Sequence, residues 1–286
     1  MAGIAALKMP AIHSRWASRD KYLPTSLAAE FLGTALFQLL AGSVADDPLQ
    51  SAFAFTALLY ATKFVSGGHL NPAVSLAALM SGHIDWLRGV TYIVAQLLGG
   101  IAGAVAQAWI SPDSSFGKTG PGCYAPIKDV SNWGVWGWES VLTFTLILVF
   151  YASVLIRPGH GDSSPLAVGL ALFAGLATGG TFTGGSPLNP ARVLAGTLVF
   201  NCFWKYAFVY ISGHLTAAVL ASAWAIWAYG RGDFFKYDSA TGSLRESLLG
   251  SAGAAEPAGA LAPQFNPASG GYAGAGPREG GENIDA

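Results

Sequence analysis

Apolar residues in this chain run in long blocks rather than alternating with polar ones. Blocks long enough to span a bilayer fall at about 25–43, 48–66, 89–110, 136–156, 165–181 and 206–228, by the rule of roughly 20 residues per span. Two further helix-like segments, about 72–81 and 190–200, are too short. At ~1.5 Å per residue each reaches only ~15 Å, half of a ~30 Å hydrocarbon core. The pattern predicts an all-α membrane protein with six transmembrane helices and two re-entrant half-helices. Such half-helices survive only where protein or a water-filled cavity shields their ends.

The two halves repeat. Asn-Pro-Ala occurs at Asn71-Pro72-Ala73 and again 118 residues later at Asn189-Pro190-Ala191, each time behind a glycine pair. The same offset pairs Gly67 with Gly185, Leu76 with Leu194, Trp86 with Trp204, Tyr92 with Tyr210 and Gln96 with His214. Upstream, Glu30 faces Glu139 at an offset of 109, so the stretch from glutamate to motif is longer in the second half. Three spans per half is an odd number, so the halves insert with opposite orientation, an inverted 3+3 repeat with its site near the midplane. The chain divides into an N-terminal tail (1–24), a channel-like domain (25–230) and a C-terminal tail (231–286). The middle part comprises a first repeat (25–110), a long connection (111–135) and a second repeat (136–230).

Composition agrees. Of the 286 residues 52% are hydrophobic and 11% charged, against about 25% charged in soluble domains. A net charge of −1 gives no footing for nucleic-acid binding. Lys8, Arg15, Arg19, Lys21, Lys63, Arg88, Arg157, Arg231 and Lys236 fall on one side, and Lys118, Lys128 and Lys205 on the other. Nine against three puts both termini in the cytoplasm and the 111–135 connection outside it. Trp133, Trp136 and Trp138 are expected at the membrane interface. The C-terminal tail, rich in Gly, Ala, Pro and Ser, is expected to be disordered. Cys123 and Cys202 are read as free thiols rather than a bridge. Nothing in the sequence identifies the host membrane.

Asparagine is a favoured N-cap and proline a favoured first helical residue, so each motif reads as a helix start. Opposed orientation brings the two positive dipole ends face to face, each roughly half a charge. With their oxygens held by local backbone, the Asn71 and Asn189 amides would offer N–H donors to a lumenal oxygen, and the surrounding potential would repel cations. Arg192 adds a fixed positive charge with several donors. Neutral, oxygen-bearing solutes suit such a site. No acid–base pair, metal-ligand cluster or phosphate loop is visible, so neither an enzyme nor a cofactor is indicated.

These residues resemble the aquaporin, or major intrinsic protein, family. The resemblance rests on Ser66-Gly67-Gly68-His69-Leu70-Asn71-Pro72-Ala73-Val74, on Asn189-Pro190-Ala191-Arg192 and on Ala29-Glu30-Phe31-Leu32-Gly33-Thr34, and covers about 25–230. It implies a right-handed bundle, a homotetramer with one pore per subunit, and passive flux. Glu30 and Glu139 match glutamates that bind backbone groups of the half-helix loops, with His69 as further support. Counting from the motifs, the selectivity filter would be Ser51, Ala177, Ser186 and Arg192. Small residues at Ser51 and Ala177 depart from the Phe and His of water-strict members and imply a wider opening. A one-turn shift would instead bring in Phe55. Pro187 is uncommon in the loop, and Val193 replaces the Asp of glycerol-selective members.

The resemblance implies a water channel excluding ions and protons, with leak of small neutral solutes. The alternative is a broader facilitator of glycerol, urea, ammonia or metalloid acids; a membrane junction or scaffold protein is the third reading. His214 and Gln96 are read as helix-packing hydrogen-bonders, and His160 as a solvated loop residue. Gly99, Gly100 and Gly103 allow close helix contact.

Overall fold

The computed structural model describes residues 22–41, 47–111, 120–156 and 159–232, together with four two-residue strands further on. The chain forms two units, Met1–Lys236 and Tyr237–Ala286. In the second, β1 (Tyr237–Asp238) pairs antiparallel with β2 (Ser243–Leu244), and β3 (Phe265–Asn266) with β4 (Gly271–Tyr272). The remainder of the C-terminal tail, and the N-terminal tail up to residue 21, lie outside the described residues.

The first unit is helical: α1 (Leu23–Ala41), α2 (Pro48–Ser66), α3 (Pro72–Met80), α4 (Trp86–Ile110), α5 (Asn132–Phe150), α6 (Ser164–Thr183), α7 (Pro190–Val199) and α8 (Trp204–Tyr229). A π-turn, Tyr151–Leu155, extends α5. Five of the long helices are apolar enough to cross a membrane; α2 is the most polar, with Gln50, Ser51, Thr56, Thr62 and Lys63 along its length. α3 and α7, 9 and 10 residues long, are the two short helices anticipated from the pattern.

Packing follows the repeat. α1 lies against α2 and α4, and its counterpart α5 lies against α6 and α8. Between the halves, α2 meets α6, while α3 packs on α8 and α7 on α4. Each half-helix therefore docks on the last long helix of the opposite half. The main buried cluster includes Phe37, Phe55, Leu70, Leu146, Phe150, Leu172 and Leu188, with every half-helix loop represented.

Close approach in the first half depends on glycine. A Cβ on Gly99 would lie 2.3 Å from the Phe31 carbonyl oxygen, and one on Gly103 2.2 Å from that of Ala35. Both distances are far inside van der Waals contact, so α1 and α4 meet backbone to backbone along this seam. At the opposite end of the bundle, Lys63 donates from α2 to Ser164 Oγ (2.7 Å) and to the Gly161 carbonyl, tying α2 to the turn before α6. His160 forms that turn by accepting from Ser163 N and Oγ. Trp133 is 80% exposed at the start of α5, edge-on to Trp136, while Trp138 stacks on Phe182 of α6.

The cysteines differ from the sequence expectation. Cys123 and Cys202 form a disulfide, with their Cα atoms 5.8 Å apart and 79 residues between them in sequence. Two cysteines make no framework pattern, and only tertiary folding brings these two loops together.

Gly99→Ala and Gly103→Ala are each expected to lower stability by about 1–3 kcal/mol, because the seam must spread to admit a methyl group. Gly137→Ala, where nothing lies within 4 Å of the added carbon, serves as the control. Thermal unfolding in detergent measures all three; equal behaviour of Gly137→Ala and Gly103→Ala would remove the packing explanation.

Candidate functional site: two opposed helix starts

Each motif begins its half-helix as its residue types dictate. Asn71 has extended backbone (φ −156°, ψ 119°), and its Oδ1 accepts from Ala73 N at 2.9 Å, with Pro72 first in the helix. Asn189 repeats this at φ −151°, ψ 113°, accepting from Ala191 N at 2.9 Å ahead of Pro190. These caps satisfy one of the N–H groups that a helix start leaves open.

The residues just before them are less ordinary. Leu70 (φ 48°) and Leu188 (φ 51°) both hold the left-handed conformation, which costs a non-glycine residue on the order of 1–3 kcal/mol. The conformation points each carbonyl at the opposite motif. Asn71 Nδ2 donates to the Leu188 carbonyl oxygen at 2.8 Å, and Asn189 Nδ2 to that of Leu70 at 2.9 Å. Oδ1 is fixed as an acceptor by a backbone N–H, so the amide orientation is determined. The NH₂ groups are thus not wholly lumenal: one hydrogen of each joins the two repeats, and the second has no partner among the described residues.

Below each loop lies a buried carboxylate, and here the halves diverge. Glu30 Oε1 accepts from Ser66 Oγ (2.6 Å) and His69 N (2.9 Å), and Oε2 from Leu70 N (2.7 Å) and Gln96 Nε2 (2.7 Å). Glu139 accepts from Ser186 Oγ at 2.6 Å and pairs with His214 Nε2 at 2.8 Å. Among the described residues it takes no backbone donor, contrary to the expectation for Glu139. Pro187 stands where His69 stands in the first half and has no N–H to give. Gln96 and His214, read as helix-packing hydrogen-bonders, are the helix-borne partners of the two carboxylates. His69 itself is buried; its Nδ1 lies 3.0 Å from Ser75 Oγ, and its ring meets Tyr92 and Phe150 edge-on.

The second loop is also one residue longer. Tyr92 OH donates to the Ser66 carbonyl oxygen at 2.7 Å, and Tyr210 OH makes the same bond to Thr183. The tyrosines are 118 apart but their acceptors only 117, so the extra residue lies between Thr183 and Asn189. That shifts any count from Asn189 back onto α6.

The shift explains where the filter residues fall. Ala177 is exposed, on the stripe that carries Leu166, Leu170 and Phe173 on the outer face of α6, and its neighbour Leu176 is the buried residue of that turn. Ser186 is fully buried with its hydroxyl committed to Glu139 rather than to a lumen. Ser51 is buried in the first turn of α2. One turn on, Phe55 packs on Phe37 with ring centroids 4.8 Å apart.

Among the described residues Arg192 is the largest fully buried side chain. Its Nη2 donates to the Ala41 carbonyl oxygen at 3.4 Å. The guanidinium lies over the Phe37 ring at 5.1 Å and the Tyr124 ring at 5.8 Å, within the range of cation–π attraction. The arginine is thus framed by two aromatic rings and a helix-end carbonyl. Phe37 and Tyr124 escape a sequence count because neither lies at a fixed distance from a motif. Phe55, the alternative to Ser51, reaches Arg192's surroundings through Phe37.

Comparison with known proteins agrees with this geometry. The family described as major intrinsic protein matches residues 18–225. Aquaporin-5 of Mus musculus is 36% identical over 210 residues, covering 68% of this chain and 77% of that protein. Aquaporin-2 of Bos taurus is 35% identical over 223 residues, covering 72% and 79%. Aquaporin TIP3-1 of Zea mays is 41% identical over 159 residues, 55% of this chain and 58% of that one, so the match spans little more than half of the maize protein. Among solved structures, the aquaglyceroporin from Plasmodium falciparum shares the fold, with a TM-score of 0.60 at 22% identity over 72% of this chain and 97% of that one.

Replacing Glu30 by Ala leaves four donors without their acceptor, two of them backbone, and is expected to cost about 3–5 kcal/mol. Glu139→Ala, which strands only Ser186 and His214, is expected to cost less. Thermal unfolding in detergent ranks the two, and a larger loss for Glu139→Ala would contradict the donor count.

Proposed function

Because the chain belongs to the major intrinsic protein family, we propose that it is a passive transmembrane water channel that excludes ions and protons and leaks small neutral solutes. The observation that carries the proposal is the reciprocal bonding of Asn71 and Asn189 at the junction of two helix starts.

The mechanism follows from the donors. Each asparagine keeps one amide hydrogen after bonding the opposite loop. A water oxygen passing the junction accepts from both, so its lone pairs are committed and it can only donate to its neighbours; it cannot take a proton from either, and the proton wire breaks there. The α3 and α7 dipoles place about half a positive charge each at that point, which disfavours hydronium and metal cations. Arg192 repeats the charge barrier at a second level. Its stack with Phe37 and Tyr124 restrains the guanidinium, so that it acts as a fixed gatepost rather than a swinging one.

A second reading, a broader facilitator for neutral solutes such as glycerol or urea, draws on Ser51. A small hydroxyl residue at the start of α2 leaves more room on that side than an aromatic one. The third reading, a junction or scaffold protein, makes no use of the crossed asparagines. On the charge bias, both termini are cytoplasmic and the connection after α4 faces the other side. The assembly implied by the family resemblance is a homotetramer with one pathway per chain.

Stopped-flow shrinkage of proteoliposomes tests the reading directly. Water permeability is expected well above that of empty liposomes, with glycerol and urea much slower per pore. Glycerol flux comparable with water would favour the second reading, and permeability equal to empty liposomes would sink both. Arg192→Val is expected to raise solute flux and proton leak, the latter followed by a trapped pH dye; unchanged values for both would remove Arg192 from the barrier.

A further inference from the structure

The connection after α4 packs directly along α7, from the Arg192 carbonyl to the C-cap Phe200. A Cβ on Gly196 would lie 2.1 Å from the Gly122 carbonyl oxygen, and one on Gly122 would lie 3.4 Å from the Arg192 carbonyl oxygen. Phe200 sits equally close over Gly120. Cys123 follows, bonded to Cys202 in the turn between α7 and α8. Tyr124 comes next, its ring over the Arg192 guanidinium at 5.8 Å and 5.9 Å from the Tyr210 ring. Tyr124 is buried in a small cluster with Val135, Val193, Ala207 and Tyr210, separate from the main core. The other ring over the guanidinium, Phe37, belongs to a long helix and is fixed by it. Tyr124 has no helix of its own. Besides its packing on α7, its loop carries two short turns, Cys123 N to Gly120 O and Val130 N to Ile127 O, and the disulfide.

We propose that this disulfide-closed loop is a wall of the Arg192 constriction, with Tyr124 as the positioning residue for the guanidinium, and that breaking the Cys123–Cys202 bond relaxes the size limit on neutral solutes. The inference rests on the channel reading above. Cys202 is buried and Cys123 half-buried, so a reductant approaches the bond from the Cys123 side. A phosphine or dithiol reductant supplies the two electrons: the S–S bond breaks, each sulfur takes up a proton as a thiol, and the reductant is oxidised. The loop then keeps its turns and its packing on α7 but loses its covalent tie to the α7–α8 turn, which loosens Tyr124 over the guanidinium and gives the arginine room to swing. Water, already small enough to pass, changes little; larger solutes gain.

The test uses the full-length protein in proteoliposomes, with glycerol, urea and water fluxes measured before and after a membrane-impermeant phosphine reductant. Alkylation mass shifts report the fraction of broken bonds. Reduction is expected to raise the solute-to-water permeability ratio several-fold, and reoxidation to reverse it. Tyr124→Ala is expected to show the raised ratio with its disulfide intact and no further response to reductant. Tyr124→Phe, which keeps the ring, is expected to restore that response. Complete reduction with an unchanged ratio overturns the inference and leaves the water reading standing. Water flux no higher than in empty liposomes overturns the water reading, and this inference with it. The reductant arm needs no cysteine variant, so a folding defect in Cys123→Ser or Cys202→Ser does not affect the outcome.

Discussion

The exchange of hydrogen bonds between Asn71 and the Leu188 carbonyl, and between Asn189 and the Leu70 carbonyl, is the constraint on which the rest of the architecture depends. At membrane depth an unsatisfied backbone group costs several kcal/mol. Two half-helices that stop midway create such groups at their starts. The crossed bonds satisfy the Leu70 and Leu188 carbonyls with the opposite asparagine amides, and so fix the two starts tip to tip. Docking of α3 on α8 and of α7 on α4 then surrounds the junction with helices from both halves. The strained leucine backbones are tolerated because the crossed bonds require that carbonyl direction.

Around this symmetric centre the supports are unequal. Glu30 gathers two backbone and two side-chain donors, whereas Glu139 holds one serine and one histidine. Pro187 and the additional residue in the second loop account for the difference. Ser186 gives its hydroxyl as Ser66 does and His214 replaces Gln96, while the two backbone donors of the first half have no counterpart among the described residues. The repeat is therefore preserved where the two halves touch and relaxed one layer out, where each half needs only to hold its own loop.

Most of the architecture was legible because its determinants are local. Block length predicted six spans and two half-helices, and Asn-Pro marked both helix starts within a residue. The surroundings of Arg192 were not legible, for physical reasons that differ by residue. Ala177 was misplaced because a fixed count crosses a loop with one extra residue, and a one-residue slip on a helix turns a side chain by about 100°. Ser186, counted into the filter, gives its hydroxyl to the carboxylate of Glu139. Phe37 and Tyr124 lie on a helix and a loop that only the folded chain brings to Arg192. The Cys123–Cys202 pairing has the same origin, since nothing within either loop announces the other.

The left-handed leucines carry a consequence for biogenesis. Each asparagine's acceptor lies in the opposite repeat, more than a hundred residues away along the chain. When a ribosome has delivered the first loop but not the second, Leu70 and Asn71 are at membrane depth without their partners. At that stage the first loop is anchored only from within its own repeat, by Glu30 through Ser66, His69 and Leu70 and by Tyr92 through the Ser66 carbonyl. The better-furnished carboxylate thus belongs to the repeat that must wait. The sparser one belongs to the repeat that arrives to find its counterpart already in place.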